Sequence, residues 1–147
     1  MAAVQGGADR IELCSSLAEG GLTPSFGLMQ SAAKLPVPCV AMIRPSAGNF
    51  QFKTSDVDIM LADIDAAGSA GLTGVVLGSQ SVHGTLDLEV LSRLVNHAQE
   101  LSCSLHRVID VVDDPLQAID DAVTLGFKRV LTSGGCATAM ELSLIHI

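Results

Sequence analysis

The sequence predicts an α/β fold assembled from repeated strand–helix units. Three observations predict it: five short β-rich runs recur along the chain, amphipathic stretches of helical period lie between them, and the runs are evenly spaced. Run centres at Ile11, Val40, Val75, Ser104 and Val130 lie 29, 35, 29 and 26 residues apart. That spacing matches one βα unit of roughly 30 residues. Repetition of such units demands parallel strands buried on both faces. A closed (β/α)8 barrel and an open doubly wound sheet both satisfy the demand, and periodicity does not choose between them.

Taken in order, the strands are Arg10–Cys14 (RIELC), Cys39–Arg44 (CVAMIR), Gly74–Leu77 (GVVL), Cys103–Arg107 (CSLHR) and Arg129–Thr132 (RVLT). Between the second and third, Val57, Met60, Leu61, Ile64 and Ala67 recur at helical spacing. Leu88, Leu91, Val95 and Ala98 do so before the fourth, and Leu116, Ile119 and Val123 form a stripe before the fifth. The last helix carries its own punctuation. Asp114 can cap its free N–H groups, Pro115 suits its first turn, and Gly126 suits a left-handed exit. Gly7 and Gly71 likewise stand just before strands.

Polar residues gather where the strands end: Glu12 and Cys14, Arg44, His106 and Arg107, then Thr132 and Ser133. The opposite ends carry plain turns such as Leu35-Pro36-Val37-Pro38. Chemistry in parallel α/β folds collects at the carboxyl ends of strands, so one functional face is expected.

Composition excludes several classes. Eight Lys and Arg against 16 Asp and Glu give a formal charge of −8, and there is neither Trp nor Tyr. Phosphate neutralisation and base stacking both lack their residues, so nucleic acid is not a partner. With 48% hydrophobic and 16% charged residues the chain is core-forming and not disordered. No signal-like leader and no apolar run of membrane-spanning length occurs, so a soluble protein without a membrane partner is expected, in the cytoplasm or the nucleus. The four cysteines, Cys14, Cys39, Cys103 and Cys136, include no Cys-x-x-Cys pair and read as free thiols of a reducing compartment. Dinucleotide, Walker, zinc-protease and nucleophile-elbow motifs do not occur. Thr132-Ser133-Gly134-Gly135 could offer backbone N–H groups to an anion.

Two long motifs, Gly6-Gly7-Ala8-Asp9-Arg10-Ile11-Glu12-Leu13-Cys14 and Glu19-Gly20-Gly21-Leu22-Thr23-Pro24-Ser25, resemble the opening of the CutC copper homeostasis family. Met42-Ile43-Arg44-Pro45, His106-Arg107 with Asp110, and Arg129-Val130-Leu131-Thr132-Ser133-Gly134 follow in the family's order. The resemblance covers about residues 6–141. It implies a TIM-type barrel, intracellular copper handling, Cu(I) binding by cysteine, and self-association into a homo-oligomer. The chain departs from the family where Arg-Pro-Arg-Gly-Gly-Asp-Phe becomes Arg44-Pro45-Ser46-Ala47-Gly48-Asn49-Phe50, losing one Arg and one Asp. His-Arg-Ala-Phe-Asp becomes His106-Arg107-Val108-Ile109-Asp110, which keeps the polar members. Against the family, residues 1–141 correspond to barrel strands two to six, with the first and last strands missing, and 142–147 (LSLIHI) form a tail without family counterpart. The chain is therefore expected to be a fragment whose outer strands expose unpaired edges.

Two functions compete for the site. Residues two apart in a strand share a face, so Arg10, Glu12 and Cys14 project together while Ile11 and Leu13 pack against helices. A carboxylate on that face needs a partner such as Arg10, Arg44 or Arg107. Cu(I) prefers thiolate and thioether ligands. Under the copper function implied by the resemblance, Cys14 is the leading ligand, Cys136 a weaker one, and Met42 a thioether candidate that also suits the core. Cys39 and Cys103, at the other strand ends, are packing residues. Under the second function, a barrel enzyme of unassigned reaction binds a small anionic substrate with Glu12, Arg44, His106 and Asp110 as acid/base and anchoring groups. His106 would act there as acid or base, oriented by the Asp110 carboxylate. The hard, hydrogen-bonding character of that set suits proton transfer better than Cu(I). A structural subunit with no ligand is the third outcome.

Overall fold

A computed structural model describes residues 2–135. After a four-residue helix α1 (Ala2–Gln5) come β1 (Ile11–Leu13), α2 (Phe26–Ala32), β2 (Cys39–Met42) and α3 (Thr54–Ser69). Then follow β3 (Gly74–Leu77), α4 (Leu88–Ala98), β4 (Ser102–Leu105), α5 (Pro115–Leu125) and β5 (Arg129–Val130). Two 3-10 turns, Leu17–Glu19 and Arg107–Asp110, leave β1 and β4 at their carboxyl ends. All five strands appear where the β-rich runs lie, each shorter than or equal to its run save for Ser102, which joins β4.

Local chemistry sets the helix starts. Ser25 accepts from the Leu28 N–H at α2 and Asp87 from the Val90 N–H at α4. At α3 the Asp56 carboxylate reaches back to the Lys53 N–H at 2.9 Å. Asp114 takes the Leu116 and Gln117 N–H groups at α5, and Gly126 leaves that helix with φ 93°.

The strands pair in parallel and in the order β1-β2-β3-β4-β5, with Ile11 opposite Cys39, Ala41 opposite Val75, Val76 opposite Ser104 and Leu105 opposite Val130. This order answers the question that periodicity left open. A doubly wound sheet reverses its strand order at a switch point, and here each strand simply adds beside the last. Helices cover only one face. Ile11, Leu13, Ala41, Ile43, Val75 and Leu77 pack outward on helical residues such as Met60, Ile64, Leu91 and Leu94. On the other face a small cluster of Val40, Met42 and Val76, with Cys14 against it, holds strand residues alone. The result is a curled half-barrel with its helices outside. Among the described residues β1 pairs only with β2 and β5 only with β4, leaving both edges open. No helix among them is long and apolar enough to cross a membrane.

One helix face differs from expectation. The stripe assigned to α5 points away from the core: Leu116 is 77% exposed and Val123 69%, while Ala118 and Ala122 are buried. Small side chains let this helix lie close to the sheet, and the bulky apolar residues take the neighbouring face. Apolar period alone does not say which of two adjacent stripes turns inward.

Candidate functional site

The carboxyl ends of β1, β2 and β4 build the site. Beyond β2, the Arg44 backbone is clamped by Thr23, whose hydroxyl accepts from the Arg44 N–H at 2.9 Å and whose N–H donates to the Arg44 carbonyl at 3.0 Å. The Arg44 side chain is then held by carbonyls. Nη1 donates to Glu19 at 2.8 Å and Gly21 at 3.2 Å, and Nη2 to Gly48 at 2.8 Å. Its Cζ stands 4.8 Å above the Phe50 ring. Burial lowers the Arg44 pKa, with Glu19 opposing, and a guanidinium stays charged regardless. The loop that departs from the family pattern thus still contributes Gly48 and Phe50 to the site.

His106 leaves β4 and is 2% exposed. Its ring sits 4.6 Å from Phe50, and its Nδ1 accepts the Val108 N–H at 3.1 Å. Gly78 makes room for it: a Cβ there would lie 2.5 Å from Cε1 and 2.6 Å from Nδ1. Burial first, and the Arg44 charge second, lower the imidazole pKa to about 3. The ring is therefore neutral at ordinary pH.

Arg44 Nε and His106 Nε2 are both buried and find no hydrogen-bond partner among the described residues. Each such donor costs about 1–3 kcal/mol. Both residues line one niche of about 40 Å³, together with Gly20, Met42, Phe50, Arg107 and Leu131. Two larger cavities adjoin it. One of about 330 Å³ is lined by Glu12, Cys14, Met42 and Arg107, and one of about 230 Å³ by Glu19, Arg44, Arg107 and Asp110. A cleft of about 570 Å³ lies elsewhere, between α3 and α4 on the helical exterior, far from these groups.

Asp110 does something other than orient His106. Its side chain is 6% exposed and binds Arg107 Nε at 3.0 Å, the Thr132 hydroxyl, the Ser133 N–H and hydroxyl, and the Gly135 N–H at 3.1 Å. Burial alone would raise its pKa, but these bonds together hold it well below the usual carboxylate range. The Thr132–Gly135 turn does cradle an anion, and that anion is the chain's own Asp110. Ser133 also accepts from Arg107 Nη2 at 2.7 Å. Asp110 is thus a post that ties the exit of β5 to the exit of β4.

Glu12 meets Arg10 at 2.8 Å, and Arg10 Nη2 donates to Ser104 at 3.0 Å across the inner face. Of the three arginines named as partners, the nearest in sequence takes the carboxylate. Cys14 lies at the rim of the inner cluster. A Cβ placed on Gly21, at φ 91°, would lie 3.4 Å from the Cys14 Sγ and 3.6 Å from the Met42 Cε. Gly21 therefore lets the Cys14 thiol and the methyl end of the Met42 thioether lie beside the same backbone point, and thiolate and thioether are ligand types that Cu(I) prefers. Cys39 and Cys103 are buried at the opposite ends. Their thiols donate to the Ala32 and Leu101 carbonyls, and burial raises both pKa values, that of Cys103 to about 11. Among the described residues no three His, Cys, Asp or Glu side chains gather as a metal cluster. Cys136 lies outside the described residues.

Phe50, Thr23 and Gly78 were not marked by sequence alone. Phe50 carries a faint signal, as one of two aromatic rings, with Phe52, in the loop that follows Arg44-Pro45; the other two show their roles only through contacts.

Sequential parallel strands, helices on the outer face, and polar groups at the carboxyl strand ends define a protein of the TIM-barrel class. The CutC family model matches residues 1–145, and the chain belongs to the CutC family. A CutC family protein of Sinorhizobium medicae is 55% identical over 140 residues, covering 95% of this chain and 57% of that protein. One of Rhizobium meliloti is 56% identical with the same coverage. The chain thus spans a little over half the length of these relatives. A solved Streptococcus agalactiae protein that bears the name copper homeostasis protein CutC superposes with TM-score 0.85 at 33% identity, over 90% of this chain and 66% of that one. A phosphoenolpyruvate phosphomutase of Streptomyces platensis, at 15% identity and TM-score 0.61 over 89% of this chain and 54% of its own, shares the fold alone.

Proposed function

We propose that the chain serves intracellular copper homeostasis by binding Cu(I) through the Cys14 thiolate, with the Met42 thioether beside it and Cys136 as a second thiolate. The observation that supports this most is the placement of Cys14 Sγ and Met42 Cε about the same point at Gly21, on the open end of the sheet. Two soft sulfur donors are the ligands Cu(I) prefers, whereas the buried thiols of Cys39 and Cys103 are poorly ionised. Kinship with the CutC family supports the same role. Copper is cargo in this reading, and the chain works in the cytoplasm as a homo-oligomer. Competition against a chromophoric Cu(I) chelator tests it. A single Cu(I) should bind per chain, and Cys14→Ser should weaken binding about tenfold or more; unchanged affinity would remove Cys14 from the site.

A second reading is favoured by the two partnerless donors of Arg44 and His106. In it the niche is the substrate pocket of a barrel enzyme acting on a small anion. Arg44 anchors the anion and the neutral His106 donates to it, while Glu12 and Asp110 line the adjoining cavities. A screen of small anionic metabolites should find turnover that His106→Ala abolishes; turnover indifferent to that change would exclude His106.

A further inference from the structure

The two partnerless donors are unlike in charge and alike in direction of need. Arg44 carries a guanidinium whose Nη groups donate three hydrogen bonds, to the carbonyls of Glu19, Gly21 and Gly48, while its Nε–H has no acceptor among the described residues. The three carbonyls are dipoles, not charges, so the positive charge is solvated but not cancelled by them. On His106, Nδ1 accepts the Val108 N–H and so bears no proton. The single ring proton of the neutral imidazole then sits on Nε2. The two residues that carry these N–H groups, one charged and one neutral, both line one niche of about 40 Å³ that the Phe50 ring helps to wall.

Size and charge narrow what fits. The niche is smaller than either cavity that adjoins it, and a planar carboxylate head is smaller than a tetrahedral phosphate. Two guanidiniums line the niche, and the Asp110 carboxylate already pairs with that of Arg107, which leaves the Arg44 charge to match one negative charge. A dianion would bring a second charge that the neutral imidazole does not answer. The adjoining cavity of about 330 Å³ shares Gly20, Met42, Arg107 and Leu131 with the niche and offers Leu13, Leu17 and Leu131 to an apolar body.

We propose that the niche binds the carboxylate of a small monocarboxylic acid, its oxygens accepting from Arg44 Nε–H and His106 Nε2–H, with the short aliphatic body lying in the adjoining cavity. This inference rests on the pocket of the second reading, but not on catalysis there. It leaves Cys14 out of the carboxylate contacts.

The test titrates the 15N-labelled chain with propanoate, propanamide and inorganic phosphate, reading the His106 side-chain resonances and the affinity. Propanoate should bind saturably and shift the Nε2–H signal, and the neutral, isosteric propanamide should bind about tenfold or more weakly. Phosphate should bind more weakly than propanoate. His106→Leu should cost about tenfold in propanoate affinity, and His106→Gln, which restores an N–H donor, should recover most of it. The inference is overturned if propanamide equals propanoate, which signals a water-filled or merely apolar niche, if phosphate binds more tightly, or if no saturable binding occurs at millimolar propanoate. The wild-type comparison of acid with amide decides even if a variant fails to fold. Binding without turnover would sustain this inference and count against the catalytic half of the second reading.

Discussion

The two ends of the half-barrel solve the same problem, the burial of polar atoms, in opposite ways. At the amino ends of β2 and β4, Cys39 and Cys103 donate to nearby carbonyls. At the carboxyl ends, Arg44 and His106 are as deeply buried, yet each keeps one N–H without an acceptor among the described residues, and both line a niche. Both ends thus hold groups of chemical interest, and only one leaves them capacity to bind. The lesson concerns cysteine in particular: four thiols in the sequence are not four candidate ligands, because position on the strand separates a packed thiol from a presented one.

Acid should break the contrast most severely. The His106 pKa is about 3 in the folded chain, below the ordinary 6.5. Between those values the unfolded chain binds one more proton than the folded one, so stability falls as pH falls below 6.5. The slope is about 1.4 kcal/mol per pH unit at full effect, or on the order of 5 kcal/mol by pH 3. Asp110 adds to the loss from about pH 4 downward, since its depressed pKa stabilises the fold only while it is ionised. Denaturant unfolding at pH 7, 6 and 5 measures this; equal stability at all three would mean that His106 is not buried as a neutral ring.

Thiol labelling sharpens the comparison next. With the Cys103 pKa at about 11 and its sulfur buried, alkylation there should run about a hundredfold slower than at Cys14. Peptide mapping after timed iodoacetamide exposure reads the ratio, and equal rates would contradict the assignment of Cys103 to the packed end. Asp110→Asn comes third. It removes the charge that gathers Arg107, Thr132, Ser133 and Gly135, and a loss of about 2 kcal/mol is expected in denaturant unfolding. A neutral result would show that the turn holds itself.

A pair of glycines should move stability in opposite directions, by amounts no larger than about those above. Gly78→Ala places a methyl against the His106 ring and should destabilise by about 1–3 kcal/mol. Gly27→Ala, inside α2 and meeting nothing within 4 Å, should stabilise by about 0.5–1 kcal/mol. Thermal melts of both variants should move in opposite directions.

Much of the architecture was legible because strands and caps leave local marks. All five strands, the α5 cap at Asp114 and exit at Gly126, and the outward packing of Ile11 and Leu13 follow from alternation and turn chemistry. The barrel sense of the sheet was not local: it needs the strand order, which spacing leaves free. The α2 helix, despite Pro24-Ser25 before it, is too short at seven residues to show a period. At the site, the residues themselves could be named, since Arg, His and Cys at strand ends are unusual. Their partners could not. Asp110 pairs with a turn more than 20 residues ahead and not with His106, and Glu12 chooses Arg10 over two other arginines. Such choices depend on angles between strands, which no run of residues encodes by itself.

In the proposed copper role it is the presented thiol of Cys14, and not a packed one, that holds Cu(I). Cu(I) affinity measured side by side for the wild-type chain, Cys14→Ser and Cys39→Ser tests it most directly. Cys14→Ser should lose about tenfold or more in affinity and Cys39→Ser should lose none. Equal affinities in all three, or a loss confined to Cys39→Ser, would contradict it.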